Sequence, residues 1–475
     1  MIYFHWIFIL LVVVYALIVI GTAAKLLLDN RSPSSTVAWL MVLIGLPVGG
    51  FILYIFFGRN QRKEKFISKQ SLDQITKRSL YSYVEQRNLQ IPEPHAELIR
   101  LFANQNVALP FKNNEIEIYE NGYEMFPALL KAIGGAKNHI HLVVYIFEDD
   151  ALGRLVRDAL VDKAAQGVEV RVIYDYVGCW NVKSDFYEQM REAGIDVHAF
   201  MPVKFPAFTS KVNYRNHRKL CVIDGEVGFI GGMNIATRYV KGKNGTAWRD
   251  THMAIRGGAV YGIQTAFLTD WYFVDQSLES GRKYYPGNAS VVINDCLAQI
   301  VTSNPTSLWP EIMHGYVRIL MEAKHYVYIE TPYFLPTEPV LFAIRTSALA
   351  GVDVRLIVPE HSDTRLVEWA GRSFLRDVLD AGVKIYLYKE GFNHSKLLVC
   401  DDSLCSCGST NIDFRSFEKN FEANVFVYDT DTVARVKQLF ESDMQRSELV
   451  DASKFHSRMR VRLFESVVRL FSPLM

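Results

Sequence analysis

Five residue types recur in the same register at two places in this chain of 475 residues. In each copy Lys follows His by two positions, Asp by seven, Gly by fourteen and Asn by seventeen. The first copy consists of His217, Lys219, Asp224, Gly231 and Asn234. The second consists of His394, Lys396, Asp401, Gly408 and Asn411. Such a repeat predicts a duplicated structural unit, so the fold must contain two similar halves.

The chain around each copy repeats one order of strands and helices. Residues 138–146 and 168–174 are apolar, β-branched runs, and a helical stretch at 152–166 separates them. The same order returns around 323–330 and 351–358. Alternating strands and helices predict β-α-β units and a largely parallel sheet with helices on both faces. We therefore predict an α/β fold of two tandem α-β-α domains with pseudo-twofold symmetry, sharing one active site at their interface.

Two uncharged apolar runs lie near the N-terminus, at about 4–24 and 37–57. Each approaches the roughly 20 residues that a helix needs to cross a bilayer. A short turn joins them, which predicts a transmembrane hairpin within residues 1–60. Basic residues after the second run outnumber Lys25 and Arg31 near the turn. The positive-inside tendency then predicts a multi-pass protein of the plasma membrane with its catalytic domains in the cytoplasm.

The predicted boundaries place a linker at 61–110, a first domain at 111–285, a join at 286–310, a second domain at 311–450 and a tail at 451–475. The tail is amphipathic if helical. One face then carries Leu463, Phe464, Val467, Leu470, Phe471 and Leu474. Two interpretations stay open, a helix packed on the domain and a helix lying in a membrane interface.

Composition limits the possible partners. The chain has 52 Lys and Arg against 51 Asp and Glu, a net charge of +1. This balance provides no global positive field, so we expect no nucleic-acid partner. The six cysteines lack the paired spacing of a metal site, and we predict no metal. Two of them, Cys221 and Cys400, lie inside apolar runs, and cysteine usage favours a reducing compartment.

The repeated His and Lys residues suit attack on a phosphodiester. Residues two apart on a strand face the same way, so His217 projects with Lys219 and His394 with Lys396. One imidazole can attack phosphorus and form a phosphohistidine. The other can protonate the departing alcohol and then deprotonate the incoming one. The lysines supply positive charge for the phosphate.

Amides and carboxylates complete the predicted site. Asn234 and Asn411 can donate hydrogen bonds to the non-bridging phosphate oxygens. A nucleophilic imidazole also needs an acceptor at its far nitrogen. Asp250 and Glu422 lie at similar distances downstream of the histidine in their own half, and they are the candidates for this orienting role.

The paired His-x-Lys-x4-Asp motifs, each followed by Gly and Asn, resemble the phospholipase D superfamily. Within it the chain is most similar to the bacterial cardiolipin synthases. The similarity includes the phrases at 213–219, 228–234 and 411–417, the two apolar N-terminal runs and the apolar tail. The second copy departs in one place, where Gly408-Ser409 replaces Gly231-Gly232.

The resemblance implies conversion of two phosphatidylglycerols into cardiolipin and glycerol, without a metal or other cofactor. It makes His217 the nucleophile and His394 the acid–base partner. Asp224 and Asp401 complete the two catalytic motifs, although an Asp that ends a strand before a turn is also common for structural reasons. The expected partners are phosphatidylglycerol, cardiolipin and the lipid bilayer. The oligomeric state is open.

Three alternatives compete with this function. A phospholipase D would use the same chemistry but transfer the phosphatidyl group to water or another alcohol, and the use of phosphatidylethanolamine as an acceptor also stays open. A membrane-tethered nuclease would need a basic groove with stacking aromatic residues. A non-enzymatic membrane scaffold would tolerate degenerate motifs, whereas both copies here are intact.

Overall fold

The computed structural model describes residues 2–29, 33–46, 48–58, 68–85, 89–106, 108–203, 213–286, 294–451, 455 and 459–475. The N-terminal helices form one unit, and the α/β portion of the chain forms another.

The first predicted span is a continuous helix. Helix α1 (Ile2–Leu28) has 27 residues, so its length is about 40 Å at roughly 1.5 Å per residue. That length exceeds the roughly 30 Å hydrocarbon core of a bilayer. Its apolar part, Tyr3–Leu28, has a mean hydropathy of 2.9 and is not buried by the protein. Among the described residues it is the one helix long and apolar enough to cross a membrane.

The second predicted span, 37–57, is divided into shorter pieces. The first piece ends two residues before Pro47 because a residue preceding proline disfavours the α conformation. Leu26, Leu43 and Tyr54 form a small buried core that joins these pieces to α1. The hairpin is therefore confirmed in part, and the prediction of one continuous second helix is wrong. The pieces are α2 (Pro33–Gly45), α3 (Gly49–Leu53) and a π-helical turn (Tyr54–Gly58).

The α/β portion begins with two helices inside the predicted linker at 61–110, and the first half follows them. The two helices are α4 (Lys69–Val84) and α5 (Ala96–Asn106). The elements of the first half are β1 (Pro110–Phe111), β2 (Asn114–Tyr119), α6 (Gly122–Gly135), β3 (His139–Val144), α7 (Ala151–Ala165), β4 (Glu169–Asp175), α8 (Ser184–Glu192), β5 (Asp196–Phe200), β6 (Leu220–Ile223), β7 (Val227–Gly231), α9 (Arg238–Lys241), β8 (Trp248–Arg249), β9 (His252–Gly257) and α10 (Val260–Asp275).

The second half repeats the order and ends in a C-terminal helix. Its elements are β10 (Ala298–Ser303), α11 (Glu311–Glu322), β11 (Tyr326–Glu330), β12 (Phe334–Leu335), α12 (Glu338–Leu349), β13 (Asp353–Pro359), α13 (Arg365–Leu379), β14 (Lys384–Tyr388), β15 (Phe392–Asn393), β16 (Leu397–Cys400), β17 (Leu404–Gly408), β18 (Ile412–Asp413), α14 (Phe414–Glu418), β19 (Glu422–Val427), α15 (Thr430–Gln445), β20 (Ser447–Leu449) and α16 (Met459–Arg469).

The two large sheets share one topology. The seven-stranded sheet has the order β2-β9-β7-β6-β3-β4-β5. The nine-stranded sheet contains the equivalent order β10-β19-β17-β16-β11-β13-β14, with β1 and β20 added at its edges. Strands β3, β4, β11 and β13 lie at the segments predicted as strands, and α7 lies at the predicted helix. The α/β fold with two equivalent halves is confirmed.

The sheets are mixed, so the prediction of a largely parallel sheet is wrong. Strands β3, β4 and β5 are parallel, but β6, β7 and β9 continue the sheet in antiparallel pairs. The cause is a tight hairpin after each signature strand. Asp224 (φ 57) and Gly225 (φ 69) turn β6 into β7, and Asp401 (φ 48) and Asp402 (φ 53) turn β16 into β17. Parallel neighbours would need a longer crossover connection at these points.

One edge strand crosses from the first half to the second sheet. β10 lies inside the predicted join at 286–310, yet it pairs with β19 and belongs to the second sheet. β1, the first strand of the first half, pairs with β10 and so also belongs to the second sheet. The two sheets are therefore parts of one compact unit.

Candidate active site

The second signature meets the first half through a short parallel ladder. Strand β15 pairs with β8, and Asn393 lies opposite Arg249. One residue further along, the same register sets His394 beside Asp250. His394 Nδ1 lies 2.7 Å from Asp250 Oδ2, and both side chains are buried.

The first signature meets the second half in the reciprocal way. Asn216 forms an isolated parallel bridge with Phe421, and the backbone N–H of His217 donates to the Phe421 carbonyl at 2.9 Å. The next position sets His217 beside Glu422. His217 Nδ1 lies 3.0 and 3.1 Å from the two carboxylate oxygens of Glu422.

Asp250 and Glu422 thus contact the histidines, but each contacts the histidine of the opposite half. The pairing expected within each half is wrong, because the ladders that carry these residues run between the halves. Burial would raise the pKa of Asp250, but Lys396 and His394 hold it below its usual value. Burial likewise opposes ionisation of Glu422, and His217 keeps the pKa of Glu422 below its usual value. Both carboxylates are therefore charged acceptors for Nδ1–H.

The signature lysines lie behind the histidines. Lys219 Nζ donates to the His217 carbonyl at 2.6 Å, and it lies 5.4 Å from the centre of the Tyr145 ring. Lys396 Nζ donates to the His394 carbonyl and is 2.9 Å from His394 Nδ1. Burial lowers the pKa of Lys219 to about 7 and also lowers that of Lys396.

The two lysines help to lower the pKa of both imidazoles. Burial is the largest cause that lowers the pKa of His394, to about 3, and Lys396 and Lys219 add to it. The pKa of His217 is lowered by burial and by the same two lysines, against the opposing charge of Glu422. These lowered pKa values favour neutral imidazoles, with Nδ1–H donated to a carboxylate and Nε2 carrying its lone pair.

The signature asparagines are buried and are held by hydrogen bonds to neighbouring groups. Asn234 Oδ1 accepts from Ile146 N at 3.0 Å, and its Nδ2 donates to Tyr239 Oη at 2.5 Å. Asn411 Nδ2 donates to Asp413 Oδ2 at 2.9 Å. Each amide nitrogen carries a second hydrogen, which can bind an anion in the cavity.

The signature aspartates lie away from the histidines. Asp224 accepts the backbone N–H groups of residues 137–139 at 2.7–2.8 Å, and Asp401 accepts those of 324–326 at 2.7–2.9 Å. A four-residue strand separates each aspartate from its histidine–lysine pair, a distance of roughly 14 Å at about 3.4 Å per residue. The structure therefore places both carboxylates at strand ends, where they bind backbone groups.

A cavity of about 390 Å³ lies where the halves meet. Both histidines and both asparagines of the signatures line it. Its basic lining residues are Arg215, Arg238, Lys243 and Arg415. Its aromatic lining residues are Tyr145, Tyr239, Trp248 and Tyr333. Within the described ranges, no group of three or more His, Cys, Asp and Glu side chains could hold a metal ion.

Sequence reasoning missed these basic and aromatic residues, although two of them carried a signal. Tyr145 directly follows β3, and the carboxyl ends of parallel strands are the usual place for a site in an α/β sheet. Arg215 lies two positions before His217 on an extended segment, so the two side chains share a face. The other residues come from segments whose proximity depends on tertiary contacts.

The difference between Gly231-Gly232 and Gly408-Ser409 has a structural reason. A Cβ at Gly232 would lie 2.0 Å from Asp250 Oδ1, so the carboxylate needs glycine at this position. At the equivalent position, Ser409 Oγ donates to Glu422 Oε2. At equivalent positions, therefore, Gly232 leaves room for Asp250 and the Ser409 side chain binds Glu422.

Two buried arginines strengthen the contact between the halves. Arg218 donates to Asp270 Oδ1 at 2.6 Å and to the Glu422 carbonyl at 3.0 Å. Arg249 lies 2.8 Å from Asp443 Oδ2 and donates to Ser395 Oγ at 3.1 Å. Each arginine is adjacent in sequence to a member of a histidine–carboxylate pair and bonds to the opposite half.

Comparison with known proteins shows the family of the chain. The family model described as "Cardiolipin synthase, PLD-like domain" matches residues 129–268 and 316–444, and a "Phospholipase D-nuclease N-terminal" model matches 6–59. The chain is 40% identical over 456 residues to cardiolipin synthase 2 of Bacillus cereus, covering 94% of this chain and 88% of that protein. It is 38% identical over 472 residues to cardiolipin synthase of Alkalihalophilus pseudofirmus, covering 98% and 93%.

A solved structure shares the fold. Phosphatidylserine synthase of Haemophilus influenzae superposes with a TM-score of 0.63 at 16% sequence identity, covering 80% of this chain and all of that one.

The duplicated sheets, the paired signatures and the shared cavity define an enzyme of the phospholipase D type, with one active site built by two halves. Its class is that of the phosphatidyltransferases. The matched domains and the identity over nearly the full length show that the chain belongs to the cardiolipin synthase family.

Proposed function

We propose that this enzyme transfers a phosphatidyl group from one phosphatidylglycerol to another, releasing glycerol and forming cardiolipin. The observation that carries the proposal is the pair of crossed histidine–carboxylate contacts at one cavity. Each contact holds Nδ1, so each Nε2 remains available for chemistry. Two such groups are what a two-step displacement through a covalent intermediate requires.

In the first step His217 Nε2 attacks phosphorus, and the bond from phosphorus to the glycerol oxygen breaks. His394 donates its Nε2 proton to that oxygen. The negative phosphate of the bound lipid favours the protonated form of His394, and Asp250 balances its charge. The intermediate is a phosphohistidine at His217.

In the second step the terminal hydroxyl of a second phosphatidylglycerol gives its proton to His394. Its oxygen attacks phosphorus, and the phosphorus–nitrogen bond breaks. Cardiolipin leaves, His217 is neutral again, and His394 holds the proton needed for the next cycle. Asn234 and Asn411 stabilise the charge on the non-bridging oxygens. Lys219 and Lys396, which lie behind the histidines, add positive charge.

The charge of the cavity supports anionic donor and acceptor lipids. Its lining has four basic residues, Arg215, Arg238, Lys243 and Arg415, against two acidic ones, Asp363 and Asp413. Phosphatidylglycerol carries one negative charge, so the step that brings two of them together requires compensating cations. This favours an anionic acceptor over water and over a lipid without net charge.

We further propose that the protein is a multi-pass protein of the plasma membrane with its catalytic halves in the cytoplasm. α1 supports membrane insertion. The excess of Lys and Arg after the second apolar run supports the orientation. Fusion of green fluorescent protein and, separately, of alkaline phosphatase to the C-terminus tests it. A fluorescent fusion with an inactive phosphatase is expected, and the opposite pair of results would contradict the orientation.

The reaction is tested with purified full-length protein in detergent and labelled phosphatidylglycerol. Cardiolipin and glycerol are the expected products. Phosphatidic acid alone would identify a phospholipase D instead, and no lipid turnover would refute both functions. His217→Ala and His394→Ala should each abolish turnover, whereas His325→Ala, at an exposed position outside the cavity, should not. Phosphatidyl label trapped on His394→Asn protein would support His217 as the nucleophile.

A further inference from the structure

Two charged residues of helix α16, Glu465 and Arg469, face the protein. The Glu465 side chain is 1% exposed and lies 2.6 Å from Arg376 of α13. Arg469 makes a second ion pair with α13, at 2.6 Å from Asp377. Val468 is also buried, at 6% exposed, as part of the core, but the larger apolar side chains of the helix stay exposed. Surface helices usually bury such side chains against the core, so this arrangement is unusual.

The opposite side of α16 and the residues after it form an exposed apolar face. Leu463 and Leu470 are 68% and 76% exposed. A contiguous exposed apolar surface of this kind is typical of an interaction site. The members of this apolar face are Leu463, Phe464, Val467, Leu470, Phe471 and Leu474.

The fully exposed charges on α16 itself are positive. Arg460 and Arg462 are exposed on α16, and the single carboxylate of this helix, Glu465, is buried in its ion pair. An exposed apolar face flanked by arginines matches the headgroup region of an anionic bilayer, where apolar side chains reach the acyl boundary and cations meet phosphates.

The apolar face adjoins the active site. Met475, at the end of the segment that follows α16, lines the catalytic cavity. Val367, on the helix that binds α16, also lines it. A Phe464–Trp369 ring contact, with centroids 5.0 Å apart, connects the same two helices. A surface that covers the apolar face would therefore lie close to the catalytic cavity.

We infer that α16 docks its apolar face into the surface of an anionic phospholipid bilayer and thereby brings the cavity to the lipid that enters it. The inference rests on the proposed function for the nature of the surface. It is distinct from the anchoring provided by α1, because it concerns the catalytic halves themselves. A second copy of the chain, or another segment of the same chain, is an alternative occupant that the experiment must distinguish.

Fluorescence in phosphatidylglycerol nanodiscs tests the docking directly. Leu470→Cys in the full-length protein carries an environment-sensitive dye, and Leu349→Cys on α12, where Leu349 is 73% exposed, is the matched control. The six native cysteines are buried, so the dye reacts at the introduced thiol. We expect blue-shifted emission that spin-labelled lipids quench at position 470, and neither effect at position 349.

Two results would overturn the inference. Emission at 470 that matches the control would show that the face stays in water. Blue-shifted emission without lipid quenching would show that protein covers it, and cross-linking between labelled positions would then identify a second copy. The fluorescence does not depend on turnover, so quenching in an enzyme that made no cardiolipin would refute the proposed function and leave the docking intact.

Kinetics give an independent test. Leu463→Asp combined with Leu470→Asp should lower turnover of phosphatidylglycerol in nanodiscs, because the charged face no longer enters the bilayer. Turnover of a short-chain, monomeric phosphatidylglycerol should be retained, and Leu349→Asp should leave both activities unchanged. Equal loss on both substrates would show damage to the active site and would contradict the docking role.

Discussion

Replacing Glu422 by Gln tests the crossed contacts, because the imidazole that this carboxylate binds, His217, belongs to the other half of the chain. Gln preserves the shape of the side chain and one acceptor oxygen, but it removes the negative charge that faces Nδ1 at 3.0 and 3.1 Å. Positive charge develops on His217 as it attacks phosphorus. The substitution should therefore destabilise the transition state of the first step while leaving the fold in place.

The expected magnitude follows from Coulomb's law. Two unit charges about 4 Å apart interact by about 4 kcal/mol at an effective dielectric constant near 20. Since about 1.4 kcal/mol corresponds to a tenfold change in rate, loss of this interaction should slow the step about 10³-fold. The value lies within the roughly 10²–10⁴-fold range typical of acid–base assistance.

A phosphatidyl ester of p-nitrophenol isolates the first step, because p-nitrophenolate leaves without receiving a proton. Glu422→Gln should slow the burst of p-nitrophenolate about 10³-fold, as the electrostatic argument requires. Asp250→Asn should leave the burst near normal and slow the steady state, where His394 must activate the acceptor. Glu338→Gln, 78% exposed on α12, is the control and should change neither phase.

Comparison with the histidine variants decides between crossed and within-half pairing. Glu422→Gln should behave like His217→Ala, and Asp250→Asn like His394→Ala. The reverse correspondence would refute crossed pairing. A burst lost in His394→Ala and Asp250→Asn, but kept in the other two variants, would preserve crossed pairing and move the nucleophile to His394.

Three further substitutions test the supporting structure. Gly232→Ala sets a Cβ 2.0 Å from Asp250 Oδ1, so displacement of the carboxylate should lower steady turnover as much as Asp250→Asn does. Arg218→Met leaves Asp270 buried without its ion pair and should lower the free energy of unfolding by about 3–5 kcal/mol in urea titrations. The double variant Arg218→Met with Asp270→Leu should recover much of that loss, and no recovery would contradict the ion-pair account. Burial holds the pKa of His394 at about 3 in the folded protein, against 6.5 for the free side chain. The unfolded chain therefore binds more protons between these values, and the free energy of unfolding should fall as pH drops from 6.5 toward 3. His394→Asn should flatten this fall in urea titrations repeated across that pH range, and an unchanged slope would contradict the assigned pKa.

The local pattern of apolar and helical segments was sufficient to predict the duplicated fold. The segments predicted as strands at 138–146 and 168–174 contain β3 and β4. They could be predicted because the hydrophobic pattern that distinguishes a strand from a helix lies within a short stretch of sequence. The sequence did not predict which strands run antiparallel. Asp224 and Asp401 end the signature strands in tight hairpins, and the resulting antiparallel pairs make the sheets mixed.

The partners of the histidines depended on contacts between distant segments. Asp250 and Glu422 lie at similar spacings from the histidines of their own halves, so spacing favoured pairing within each half. The β8–β15 ladder and the Asn216–Phe421 bridge reverse that preference. Strand register between segments far apart in the chain is decided by packing of whole sheets, which no local sequence window contains.

The amphipathic tail likewise combines a feature that the sequence predicts with one that depends on the tertiary structure. The spacing of its leucines and phenylalanines predicted one apolar helical face but could not say what that face meets. The ion pairs of Glu465 and Arg469 with α13 hold this side of α16 against the protein and leave the apolar face exposed. Sequence periodicity records which residues share a face of a helix, strand or repeat, since that depends on backbone geometry alone. Which surfaces then meet depends on charges and strands brought together across the whole chain, and these contacts decided both the histidine pairs and the orientation of α16.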